Sequence, residues 1–206
     1  MTSSSISGTD ALTRVVQRYR EDDSPALQIE VGLLRMLDAT NSEQLASDLR
    51  EFASPWEIHQ ATEELSPALP DDPGLYMFVW RPPFQFHVGT MPTHGSFPQL
   101  LYIGQAGASN NDRGNTIRLR YKDYRRHLRG NPEDLWTQAE PENRNQRLTR
   151  YLSLRPLEFW CATVPERSRI EGLEKRLIRL YNPPLNDRGR PKLRARLGSP
   201  RSAWSA

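Results

Sequence analysis

Two short apolar runs, GLYMFVW at residues 74–80 and QLLYIGQ at 99–105, each hold a tyrosine two residues from a glycine. Downstream, IRLRYKDY at 117–124 sets Arg120 one helical turn before Tyr124, and RSRIEGLEKRLIRLY at 167–181 sets Glu174 directly after the apolar Leu173. Phenol, guanidinium and carboxylate are groups that can bind an anion, hold a cation and handle a proton. An arginine fork pairs with phosphate oxygens, a carboxylate can hold a hard divalent cation, and a phenol near a cation can orient or deprotonate water. Two buried phenols alone are more often core than catalysis, so the surrounding elements have to agree.

The segments that must position these groups read as strands and helices. GLYMFVW, QLLYIGQ and LEFWCATV (157–164) are β-prone runs bounded by turn residues, and a glycine in a strand permits close approach of a neighbour. Ile117, Tyr121, Tyr124 and Leu128 recur at 4-3-4 spacing, an apolar helix stripe with Arg120 at its margin. Ile170, Leu173, Leu177, Ile178 and Leu180 give the last helix its apolar face, and Glu174 borders it. A carboxylate beside an apolar face needs a reason, such as a metal ion, a buried partner or a helix-surface pair. Glu171 reads instead as an ordinary surface residue in a solvated pair with Arg176 or Lys175.

In order along the chain, ALPDDPGLY, LLYIGQA, IRLRYKDY and LEKRLIRLYNPPLN resemble the motifs of the GIY-YIG nuclease superfamily over residues 70–187. The resemblance implies a small α/β domain with a central, mostly antiparallel sheet flanked by helices. It makes Tyr76 and Tyr102 the motif tyrosines, Arg120 the catalytic arginine, Tyr124 the aromatic four residues beyond it, Glu174 the metal-binding glutamate and Asn186 the asparagine that closes the site. It implies Mg²⁺ (or Mn²⁺) as cofactor and double-stranded DNA as substrate. Tyr76 is the expected general base and Tyr102 the group that positions water or phosphate, an assignment that residue types alone leave open. Gln105 stands where many members carry lysine, and Arg118 is the competing alignment for the arginine.

Charge is distributed in keeping with a polyanionic partner. Residues 1–75 hold 14 acidic and 5 basic side chains, a balance of −9, whereas residues 76–206 hold 11 and 23, a balance of +12; together they give the net +3. The tail after Asn186 contains Arg188, Arg190, Lys192, Arg194 and Arg196, a basic arm suited to nucleic acid together with Gln105, Arg118 and Asn186. Cys161 is the only cysteine, which excludes an intramolecular disulfide and a cysteine-rich zinc site. No run approaches the ~20 apolar residues of a membrane span, and the N-terminal residues lack a signal pattern, so a cytoplasmic protein is expected.

The expected organisation is an acidic, all-helical domain over 1–65, a Pro-rich linker at 66–73, the nuclease-like domain at 74–187 and a flexible basic tail at 188–206. Ser24, Asn41 and Ser54 mark helix starts in the first of these, His59 reads as a lone helical histidine of surface or core edge, and 81–98, whose His87 and His94 lack metal-site spacing, reads as a loop inserted in a hairpin. The functional expectation is a Mg²⁺-dependent endonuclease acting in restriction or defence. The alternatives are an excision-type repair nuclease and a non-catalytic nucleic-acid-binding module on the same fold. A homodimer, acidic unit against basic domain, would let two copies cut both strands.

Overall fold

The computed structural model describes residues 39–88, 91–96, 98–108, 115–136, 138 and 141–187. The two helices expected in residues 1–38 and the basic tail 188–206 lie outside them. The centre is a four-stranded antiparallel sheet of order β1-β6-β2-β5, built from β1 (Glu57–Gln60), β2 (Gly74–Trp80), β5 (Gln99–Ala106) and β6 (Leu157–Thr163). Strand β2 is buried along nearly its whole length, which explains its unbroken apolar sequence: an interior strand covered on both faces has no polar side to present.

Alternation along β2 sends its side chains into two separate cores. Tyr76 and Phe78 point to one face, where they meet Ile117, Tyr121 and Tyr124 of helix α2 (Ile117–Tyr124). Leu148 and Leu152 of a later helix, α4 (Arg144–Leu152), complete that core; the short α3 (Pro132–Trp136) precedes it. Leu75, Met77 and Val79 point to the other face, against Ile170, Leu173 and Leu177 of α5 (Arg167–Tyr181) and Leu45 of α1 (Ala39–Phe52). Helix, sheet and helix therefore form three layers. Helix α2 starts where Thr116 accepts a hydrogen bond from the Leu119 amide. Helix α5 stops at Asn182, whose φ of 46° is a left-handed cap, just before Pro183.

The N-terminal portion departs from expectation. Helix α1 is present, but it packs on α5 and is tied to it by an Asp48–Arg176 ion pair. Residues 57–60, expected to be helical behind a Ser54/Glu57 capping box, instead form an edge strand paired with β6. The Ser54 hydroxyl explains the difference: it accepts from the Thr163 amide at 2.9 Å, and the Ser54 amide donates to the Thr163 carbonyl at 2.9 Å. The hydroxyl thus joins the sheet instead of capping a helix. An all-helical domain over 1–65 is not what forms; the described part of that region is one layer and one strand of the α/β unit.

Residues 66–73 are likewise a packed segment. Ser66–Ala68 make one 3₁₀ turn and Leu69 is buried. The carbonyls of Asp72 and Pro70 receive the Ile117 and Arg118 amides, so this segment fixes the start of α2. The interval 81–98, expected to be a loop, contains an antiparallel pair, β3 (Pro83–Val88) and β4 (Met91–Ser96), with Phe84 opposite Gly95 and Val88 opposite Met91. Pro83 begins its strand, and a two-stranded pair leaves every strand an edge, where proline is tolerated.

Gly74 pairs with Thr163 of β6 and lies against Ile117 of α2. A Cβ there would meet the Ala162 carbonyl oxygen at 2.2 Å and the Ile117 side chain at 2.9 Å. Gly74→Ala should therefore cost about 2–3 kcal/mol in urea-unfolding free energy, the upper end for overpacking, because the first obstacle is backbone.

Candidate active site

Strands β2 and β5 pair so that Tyr76 faces Gly104 and Phe78 faces Tyr102. With period two, Tyr76 and Tyr102 share a face. The paired motifs then have a steric explanation: a Cβ on residue 104 would stand 2.4 Å from Cζ and 2.5 Å from Oη of Tyr76. Gly104 leaves the space that the Tyr76 ring occupies. That ring is 1 % exposed and lies among Phe159, Tyr124 and Tyr102, with ring centres 5.6, 5.9 and 6.2 Å away. Its hydroxyl is 3.2 Å from that of Tyr124, so each phenol gives the other a hydrogen-bond partner inside the core.

Around the β5 edge, side chains from both helical layers converge. A cleft of ≈ 640 Å³ is lined by Tyr102 and Gln105 of β5, Arg120 of α2, Arg144 of α4, Glu174 of α5 and Asn186. Helical spacing sets Arg120 one turn before Tyr124, so one face of α2 supplies both the guanidinium and the inner hydroxyl. The Arg120 Nε is buried without a hydrogen-bond partner, and its Nη1 lies 3.7 Å from Asp123. The cleft continues into a second one bounded by Lys122, Tyr124, Arg126 and His127, with Tyr102, Arg120 and Arg144 common to both.

Burial raises the Glu174 carboxyl to about 7, the neighbouring Glu171 adding to the rise while Arg120 and Lys175 oppose it. Nothing among the described residues hydrogen-bonds or ion-pairs with this carboxylate, although it borders an apolar helix face. A half-buried oxygen donor of that kind suits a hard cation that keeps water and phosphate as its other ligands. The residues present therefore fit Mg²⁺ better than a thiophilic ion. Burial also drives the Tyr76 phenol well above its ordinary value, with Tyr124 and Tyr102 adding to the rise and Arg120 opposing it; Tyr102 is raised in the same direction, by burial first.

The expected site residues separate into three groups. Tyr102, Gln105, Arg120 and Glu174 line the main cleft, whereas Tyr76 lies behind it and touches the cleft only through its neighbours. The Tyr76 hydroxyl, expected to act as general base, is enclosed and paired with Tyr124, while Tyr102 is the motif tyrosine that lines the cleft. Arg118 turns away, its Nε donating to the Leu69 carbonyl at 3.0 Å and its Nη1 lying 3.6 Å from Asp71. The carboxamide of Asn186 is spent on Ile103, accepting from its amide at 2.9 Å and donating to its carbonyl at 2.7 Å. Asn186 thus pins the chain after α5 to the edge of β5 while lining the cleft. Gln105 accepts from the Ala108 amide at 3.1 Å. Glu171 forms the expected surface pair with Lys175. Arg188, Arg190, Lys192, Arg194 and Arg196 lie outside the described residues.

Arg144 is the cleft residue that motif spacing does not single out. It begins α4, immediately after the Asn143 cap, and its Nη2 donates to the Tyr102 hydroxyl at 3.4 Å while its Nε lies 3.5 Å from Asp187. Its guanidinium also sits 5.8 Å from the centre of the Tyr102 ring. The only sequence signal is its place in a three-residue arginine repeat, Arg144, Arg147 and Arg150, which an exposed helix face would show equally well.

Replacing Asn186 by Ala would leave the buried amide and carbonyl of Ile103 without partners. An unfolding free energy lower by about 2–4 kcal/mol is expected from two unsatisfied groups at about 1–3 kcal/mol each, read by urea denaturation.

Comparison with family models, curated proteins and solved structures finds no match to this chain.

Proposed function

We propose that this protein is a divalent-cation-dependent endonuclease that hydrolyses phosphodiester bonds of duplex DNA at the cleft beside β5, acting in restriction or defence. The observation that carries the reading is the convergence of Tyr102, Arg120 and Glu174 from three separate elements onto one cleft. These are the groups that the resemblance to the GIY-YIG nucleases assigns to the chemistry. The basic rim of Lys122, Arg126 and Arg144 extends from the same place and suits a phosphate backbone.

Hydrolysis adds water to phosphorus, breaks one phosphorus–oxygen ester bond, and moves one proton from the attacking water while the leaving oxygen gains one. Arg120, with its uncommitted Nε, neutralises charge growing on the non-bridging oxygens. Glu174 holds the cation, which when bound supplies Lewis-acid polarisation of the phosphoryl oxygens. Tyr102 is the phenol that reaches the cleft, so it orients the attacking water, and Arg144 holds its hydroxyl. Tyr76 and Tyr124 pack against Tyr102 from behind, and their contact anchors the last turn of α2. A non-catalytic DNA-binding module on the same fold is the second reading. It is favoured by Gln105, an uncharged side chain folded back onto Ala108 at the mouth of the cleft.

Glu174→Ala should abolish cleavage of a duplex substrate while changing DNA affinity by less than about tenfold, ~1.4 kcal/mol. Arg120→Lys keeps charge but loses the fork and should slow cleavage by ~10²-fold. Because Glu174 titrates near 7 in the metal-free protein, the apparent Mg²⁺ affinity should weaken as pH falls through that value, where the proton competes with the cation. Undiminished Mg²⁺-dependent cutting by Glu174→Ala would remove the carboxylate from the mechanism.

The two motif tyrosines should differ. Tyr102→Phe is expected to slow cleavage by ~10²-fold, comparable to losing one oriented hydrogen-bonding group at the reacting centre. Tyr76→Phe should slow it less, since Tyr76 acts through Tyr124 and its packing. Single-turnover rates of the two variants decide the order, and the reverse result would return the base to Tyr76.

A further inference from the structure

We propose that Glu57, His59 and Cys161 form a binding site for a borderline divalent ion, Zn²⁺ in the first place, at the β1 edge of the sheet. Residue 57 lies directly opposite residue 161 in the β1–β6 register, and residue 59 is on the same face of β1 as residue 57. One nitrogen, one sulfur and one oxygen donor thereby come within 4.8 Å of one another, with His59 Nε2 and Glu57 Oε2 at 3.3 Å. Among the described residues no other group of three metal-ligating side chains is this close. A histidine–glutamate contact on an exposed strand is ordinary, but it does not call for a buried thiol from the next strand turned onto the same point.

Thiolate, imidazole and carboxylate together select zinc or a similar ion over magnesium. Bond lengths of about 2.0–2.3 Å in a tetrahedron need donors about 3.5 Å apart, so the widest pair must close by about 1 Å. Cys161 is 1 % exposed and fixed in the core, while the side chains of His59 and Glu57 are partly exposed and can supply that movement. Binding replaces the thiol proton, which leaves to solvent, by a metal–sulfur bond with no change of oxidation state. Such an ion would clip the edge strand β1 to β6. It is independent of the nuclease reading, because β1 and β5 are the opposite edges of the sheet.

The test is titration of the full chain, freed of metal and reduced, with Co²⁺ as a spectroscopic stand-in for Zn²⁺. Cys161 is the only cysteine, so a thiolate-to-cobalt charge-transfer band can come from no other residue. One equivalent of Co²⁺ should produce that band, and Zn²⁺ should abolish it by displacement. Cys161→Ser should lack it, and His59→Ala, a change on a partly exposed strand that leaves the core intact, should weaken Co²⁺ binding at least about tenfold. Glu174→Ala should leave the band unchanged. Zn²⁺ should also raise the thermal midpoint of the wild type and not of His59→Ala. The proposal is overturned if the wild type shows no band, if His59→Ala binds Co²⁺ as tightly as wild type, or if Glu174→Ala removes the band.

Discussion

The structure turns on the contact between Tyr76 and the missing side chain of residue 104. A phenol buried in the middle of a sheet needs both space and a hydrogen-bond partner, and leaving its hydroxyl unsatisfied would cost on the order of 1–3 kcal/mol. Gly104 gives the space and Tyr124 gives the partner. Because Tyr124 lies on α2, the same contact sets the rotation of that helix and hence the direction of Arg120. Because Tyr102 packs against both rings, it also sets the phenol at the cleft. A single absent Cβ therefore links the sheet to the arginine.

The cleft lies at an edge strand for a geometric reason. Arg120 belongs to the layer on one face of the sheet and Glu174 to the layer on the other. Their side chains can meet only around the rim, and β5 is the rim strand nearest both. That exposes the outer edge of β5, which the chain after α5 covers: the Leu185 amide donates to the Leu101 carbonyl at 3.0 Å, and Asn186 brackets Ile103. Covering the edge this way also blocks strand addition there, while Asp187 comes within reach of Arg144 and Arg147. The C-terminal segment thus belongs to the architecture of the cleft and to its electrostatics at once.

Much of this was legible in residue patterns, and the exceptions have physical causes. Strands β2, β5 and β6 and helices α2 and α5 are buried on a face or on both, so their apolar spacing reports them directly. The grouping of Tyr102, Arg120 and Glu174 followed from motif order. Strand β1 was hidden because an exposed edge of four residues, EIHQ, has no periodicity to read, and a serine before proline resembles a helix cap. The Cys161 neighbourhood was hidden with it, since a ligand pair across two strands leaves no local spacing. Asn186 and Tyr76 were recognised as important, but only the structure shows that the Asn186 carboxamide is committed to Ile103 at the cleft wall and that Tyr76 lies behind it. Arg144 was invisible because one arginine on an arginine-rich helix looks like solvated surface.

The central claim is that the cleft cuts DNA and does not merely bind it. The direct measurement is incubation of the full-length protein with supercoiled plasmid and Mg²⁺ above pH 7, with chelator as control, followed by separation of plasmid forms. The account predicts Mg²⁺-dependent conversion to nicked and linear DNA, with discrete fragments if a site is recognised. Plasmid that is retarded by the protein yet remains supercoiled, with Mg²⁺ and with Mn²⁺ alike, would contradict it and leave a binding module in place of a nuclease.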